Sequence, residues 1–116
     1  MPPRPLTFDI LRDGDAAMLE VAGEIDMATA PALEEAALAL LEERPHRLVL
    51  DFAGVPFCDS SGIGVLVRLY NKASTTGCRL SIRRPMPNVR AILDMTALTR
   101  IFHVDDPADP PAGPVS

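Results

Sequence analysis

Tryptophan is absent from this chain of 116 residues, and four Phe and one Tyr are its whole aromatic content. An interior must therefore be filled with Leu, Val, Ile and Ala. No apolar run is longer than Ala36 to Leu41, well short of the roughly 20 residues a helix needs to cross a bilayer, so no membrane partner is expected. No apolar segment follows Met1-Pro2-Pro3-Arg4-Pro5, so a secretory leader is not expected either, and the expected location is cytoplasmic. Basic charge is in deficit. Eleven Lys and Arg stand against sixteen Asp and Glu, for a net charge of -5, with no basic stripe to hold a polyanion, which argues against nucleic acid as a partner.

Cysteine is scarce as well. Cys58 and Cys78 are too far apart for a C-x-x-C metal or redox pair, and both read as reduced core residues. His46 and His103 lack ligand or catalytic spacing and read as half-exposed residues at strand edges. Neither a metal nor any other cofactor is expected. The length suits one domain that buries a core without staples.

Hydropathy patterning supplies the organisation. Leu6, Phe8 and Ile10 alternate with polar residues, as do Leu19 and Val21, on either side of Arg12-Asp13-Gly14-Asp15, which predicts a β-hairpin. After Asp26 the period becomes helical: Leu33, Ala36, Ala37, Leu40 and Leu41 share a face, with Thr29 as the expected cap, Pro31 in the first turn and Pro45 as terminator. Leu48 to Phe52 reads as a covered central strand. A second helix is expected to bury Ile63, Leu66, Val67 and Tyr70 and to stop at Gly77. Cys78, Leu80 and Ile82 alternate as a strand, Pro87-Asn88 opens a third helix with Val89, Ile92 and Leu93, and Ile101 to Val104 supplies a last short strand. The order β-β-α-β-α-β-α-β predicts an α/β domain with a mixed sheet, its N-terminal hairpin followed by parallel strands in sequence order and its helices mainly on one face. Residues 1–5 read as a flexible N-terminus, 6–104 as the domain, and 105–116 as a flexible, Pro-rich acidic tail.

Between the central strand and the second helix stands Asp59-Ser60-Ser61-Gly62. Asp is a favoured N-cap, and its use there leaves Ser60 on the exposed first turn, where a hydroxyl can receive a phosphate without unfolding what lies beneath. Loops after parallel strands emerge at one edge, so Asp26, Ser60 and Arg83 are expected to share a rim. A serine-nucleophile enzyme is the competing reading. It lacks the G-x-S-x-G elbow and an evident base, and Gly62-Ile63-Gly64 falls short of a phosphate-binding fingerprint. Those glycines suit close helix packing.

The stretch Leu50 to Gly64 resembles the signature of STAS domains, specifically the bacterial anti-sigma factor antagonists, and the likeness runs from about Phe8 to Val104 through Gly23-Glu24-Ile25-Asp26 and Leu93-Asp94-Met95-Thr96. The resemblance implies the same mixed-sheet fold and a non-enzymatic, partner-switching role. Unphosphorylated, such a protein binds an anti-sigma factor that is also a serine kinase and so releases the sigma factor. Phosphorylation of Ser60 ends the interaction, and a serine phosphatase restores it. Glu24, Asp26, Asp59, Ser61 and Gly62 are then the partner-binding candidates. Arg83 and Arg84 depart from the family pattern and are candidates for pairing with the phosphate. A scaffold role in a signalling assembly is the alternative within the family.

Overall fold

A computed structural model of the chain describes residues 5–105; the first four residues and the tail from residue 106 lie outside that range, and with them the expected flexible ends. Two strands, β1 (Thr7–Asp13) and β2 (Ala16–Ala22), form the antiparallel hairpin, with Asp13 facing Ala16 across the Gly14-Asp15 turn. Gly14 takes a φ of 60° there, a conformation that glycine reaches without steric cost. There follow α1 (Ala30–Glu42), β3 (Arg47–Gly54), α2 (Ser60–Thr76), β4 (Arg79–Arg83), α3 (Pro87–Met95), a short 3₁₀ turn (Leu98–Arg100) and β5 (His103–Asp105). The sheet order is β1-β2-β3-β4-β5, with every pair after the hairpin parallel. This is the expected topology, with the last strand shifted towards Asp105. The side chain of His103 is not among those described.

Strand periodicity divides the sheet into two faces. Ala17, Leu19 and Val21 of β2, Leu48, Leu50 and Phe52 of β3, and Leu80 and Ile82 of β4 are buried in one cluster with Leu33, Ala37, Leu40 and Leu41 of α1, Leu66 and Leu69 of α2, and Val89 and Leu93 of α3. All three helices therefore cover the same face. Tyr70 and Phe102 close one end edge to face, with ring centroids 5.5 Å apart. Gly77 ends α2 at a φ of 74° as expected, whereas α1 ends at Glu42, before Pro45 is reached, and Arg44 turns left-handed at a φ of 56°.

The buried stripe of α2 differs from its expected phase. Gly62, Val65, Leu66, Leu69 and Ala73 face the core, Val67 is exposed, and Ile63 and Tyr70 flank the cluster. The three-four spacing is the same, rotated by about one residue, because Gly62 is drawn in beneath the first turn and sets which side of the helix follows it.

The opposite face holds a buried charge. Asp51 is 2% exposed, accepts from the Ala53 amide at 2.9 Å, and receives Arg84 Nη2 at 2.7 Å and Nε at 3.2 Å. Arg84 adopts a φ of 54° to reach it, and the carboxylate raises the guanidinium's already high pKa through the hydrogen bond and its charge. This pairing overturns Arg84 as a candidate phosphate contact: the side chain is already committed to a carboxylate that would otherwise lie buried and uncompensated. Arg84→Ala should lower stability by about 1–3 kcal/mol in denaturant titration. In Asp51→Asn the same change should cost clearly less, because the stranded charge is gone; equal costs in the two backgrounds would refute the pairing.

Candidate functional site

The loops that follow β2 and β3 are stitched together beyond the ends of their strands. Gly23 N donates to Gly54 O at 2.9 Å, Ile25 N to Phe57 O at 2.9 Å, and Asp59 N to Ile25 O at 3.1 Å, so that Ile25 and Cys58 form one further parallel bridge. Asn88 of α3 ties the second loop down, donating to Pro56 O at 2.7 Å. Glu24 and Asp26 are thus placed beside Asp59 and the start of α2.

An aspartate in each loop shapes the approach to its helix. Asp59 is the N-cap of α2, its carboxylate accepting from the Ser61 amide at 2.8 Å. In α1 the position belongs to Thr29, but its hydroxyl does not cap. It donates to Glu24 O at 2.8 Å and accepts from Asp26 N at 2.9 Å, while the Asp26 carboxylate accepts from the amides of Ala28 and Thr29 at 2.9 and 3.0 Å. The Asp26 carboxylate thus closes a turn just ahead of α1, and the side-chain cap expected of Thr29 is absent because its hydroxyl is committed to the loop.

Ser60 is the first residue of α2 and is exposed; Ser61 beside it is half-buried. Gly62 is buried beneath them. A Cβ there would overlap Cys58 Sγ and lie 2.7 Å from Ile25 Cγ2, so the glycine allows the helix to sit on the bridge between the loops. That assigns Gly62 to packing and corrects its place among the contact candidates. Cys58, wholly buried, has its thiol pushed up to about 11 from an ordinary 9.0 by burial first and by the charge of Asp59 second.

Glu24, Asp26, Asp59, Ser60 and Ser61 are therefore neighbours at one sheet edge, and Arg83 is not with them. Arg83 stands in register with Asp51 and follows the core-facing Ile82, so its side chain leaves the sheet on the face away from α2. The strand period of two decides this, and it overturns the shared rim for Arg83. Two exposed apolar residues missed in the sequence stand on the stitched loops, Met27 at 78% and Phe57 at 42% exposure; each is a large apolar side chain in a loop that no strand or helix period accounts for. A shallow groove of about 310 Å³ runs from Met27, Ala30 and Pro31 past Ser60 and Ser61 to Glu34 and Arg68. Glu34 and Arg68 close its far end, with Nε–Oε2 at 2.8 Å and Nη2–Oε1 at 3.0 Å. Nothing local in sequence pairs residues so far apart.

Residues 7–108 match the family model of the STAS domain. The chain belongs to the STAS family. A curated relative, an anti-sigma-B factor antagonist of Staphylococcus epidermidis, is 27% identical over 101 residues, covering 87% of this chain and 94% of that protein. The anti-sigma-F factor antagonist RsfB of Mycobacterium tuberculosis is 36% identical over 70 residues, covering 60% and 57%. Among solved structures, an anti-sigma factor antagonist from Mycobacterium paratuberculosis is 31% identical with a TM-score of 0.79, over 89% of this chain and 86% of that one. Unphosphorylated SpoIIAA, 18% identical with a TM-score of 0.71, shares the fold. Among the described residues of this STAS domain, no helix is long and apolar enough to cross a membrane, and no group of three His, Cys, Asp or Glu is placed to hold a metal ion.

Loss of the cap in Asp59→Ala should cost about 0.5–2 kcal/mol, read as a lower denaturant midpoint. Gly62→Ala, which must displace Cys58 and Ile25, should cost about 1–3 kcal/mol by overpacking. The Cys58 thiol holds its proton more tightly folded than unfolded. Its contribution to stability is therefore complete below pH 9 and lost as the pH rises through about 11. Stability measured from pH 8 to 11 should fall more steeply in the native sequence than in Cys58→Ala, and alkylation of Cys58 at pH 8 should require unfolding.

Proposed function

We propose that this STAS domain is an anti-sigma factor antagonist switched by phosphorylation of Ser60. In this reading the unmodified protein binds an anti-sigma factor that is also a serine kinase, and the sigma factor is released. The kinase supplies ATP and magnesium. Ser60 Oγ takes the γ-phosphoryl group, the bond from that phosphorus to the bridging oxygen of ADP breaks, and the hydroxyl proton passes to a base on the kinase. A serine phosphatase reverses the modification.

The observation that carries the reading is the placement of Ser60: exposed, on a turn already capped by Asp59, at the head of a groove flanked by Met27. Its hydroxyl has no structural duty, so a phosphate adds charge to a contact surface without removing a support. At an effective dielectric near 20, two unit charges about 6 Å apart repel by on the order of 3 kcal/mol, severalfold less when screened at a surface. Since about 1.4 kcal/mol is already tenfold in affinity, a phosphate of roughly -1.5 to -2 charge beside Asp59 and Asp26 is sufficient to end a complex.

The reading of Ser60 or Ser61 as an enzymatic nucleophile finds no support in His46. That residue precedes β3 at the other end of the strand and lies 3.8 Å from Asp15.

Incubation with candidate switch kinases and ATP should place phosphate on Ser60 by mass spectrometry, and Ser60→Ala should abolish it. Stoichiometric phosphate on Ser61, or on the Ser60→Ala protein, would sink the assignment.

A further inference from the structure

The groove at Ser60 ends on a cation whose position suits it to read the modification. Arg68 lies two helical turns beyond Ser60 on α2, and Gly64 occupies the turn between them. A Cβ on Gly64 would meet Arg68 Nη1 at 3.4 Å and nothing else, so the guanidinium extends back over the bare backbone towards the start of the helix. Two turns rise about 11 Å, a gap that an arginine and a phosphoserine can close from opposite ends when no side chain stands between them. Arg68 is the one cation among the groove's lining residues. Its present partner, Glu34 of α1, carries a single negative charge in an exposed pair and is held below its usual carboxyl range by the Arg68 hydrogen bond.

We infer that Arg68 is the binding residue for a phosphoryl group on Ser60, exchanging its bidentate pair with Glu34 for one with the phosphate. The inference rests on Ser60 as the modified residue. A phosphate outbids a carboxylate for an arginine because it has more charge and more acceptor oxygens in the same fork geometry. The exchange does two things at once. It unties α1 from α2 along the groove floor, and it leaves Glu34 bare beside the phosphate, so a partner meets an altered groove as well as an added charge. The other charged groups near the phosphate, Glu24 and Asp26 of the first loop and Asp59 of the second, are all acidic and oppose the full dianion; Arg68 is what offsets them.

Phosphoserine placed directly at position 60, by semisynthesis or genetic encoding, separates this test from the existence of a kinase. Phosphorus NMR then follows the second ionisation of the phosphate, which lies near pH 6 for a free phosphoserine. Arg68→Gln should raise that pKa by about half a unit relative to the native sequence, Arg68→Lys should recover part of the shift, and Glu34→Gln should leave it equal or lower. Near-ultraviolet circular dichroism checks that each variant is folded. An unchanged ionisation in Arg68→Gln overturns the inference even if a kinase modifies Ser60. Conversely, failure of every kinase to modify Ser60 with this shift present would count against the proposed function alone.

Discussion

The extra rung between Ile25 and Cys58 is the constraint on which the rest of the site depends. Parallel strands normally part company at their ends, and the loops beyond them are free to choose separate paths. Here the Gly23 amide finds a carbonyl at the end of β3 and those of Ile25 and Asp59 each find one on the other loop, so the two paths are fixed relative to each other before either helix begins. Gly62 then presses the first turn of α2 on to the rung, against Ile25 and Cys58. The height and direction of Ser60 follow from that contact. A side chain at position 62 would lift the helix and move the serine with it, although Gly62 itself is buried.

Polar groups are divided between supporting the site and forming its surface. Thr29, 6% exposed, spends its hydroxyl on the loop itself, the Asp26 carboxylate holds the Ala28 and Thr29 amides just ahead of α1, and the Asp59 carboxylate takes a first-turn amide of α2. The Asp59 bond satisfies a donor that a helix cannot satisfy internally. Ser60, like Glu24 and Ser61, has a side chain with no such duty. The same economy holds on the far side of the sheet, where Asp51, the one buried carboxylate among the described residues, is neutralised by Arg84.

What could be read from sequence was whatever depends on local period and turn chemistry. Alternation at Leu48, Leu50 and Phe52, the Gly14 turn and the Gly77 stop gave the elements, and right-handed crossovers gave the strand order. The cap at Asp59 was legible because Asp followed by a helical period is a local signal. The failures share the opposite cause. Arg84 finds Asp51 across two strands, Arg68 finds Glu34 across two helices, and the phase of α2 is set by Ile25 on a loop of another strand; none of these leaves a mark within a window of a few residues. Thr29 failed more narrowly, since its hydroxyl is taken by Glu24 O and the Asp26 amide, and only the path of the loop decides that. Arg83 shows that knowing the end of a strand is not enough, because a shift of one residue exchanges the two faces of the sheet.

These arrangements bear on how a modification at Ser60 would act. A residue whose hydroxyl supported its own helix would, on phosphorylation, trade one bond for another and disturb the fold, and the signal would be read through altered stability. Ser60 stands outside the capping bonds, which run from Asp59 to the Ser61 amide, so the fold beneath has no reason to respond. The pieces near enough to respond are those held by exposed charge alone, and the Glu34–Arg68 pair is the nearest of them that joins two elements. Such a pair contributes little to stability. For that reason it can be surrendered cheaply, which makes it better suited to register a new charge than any bond in the buried network around Ile25.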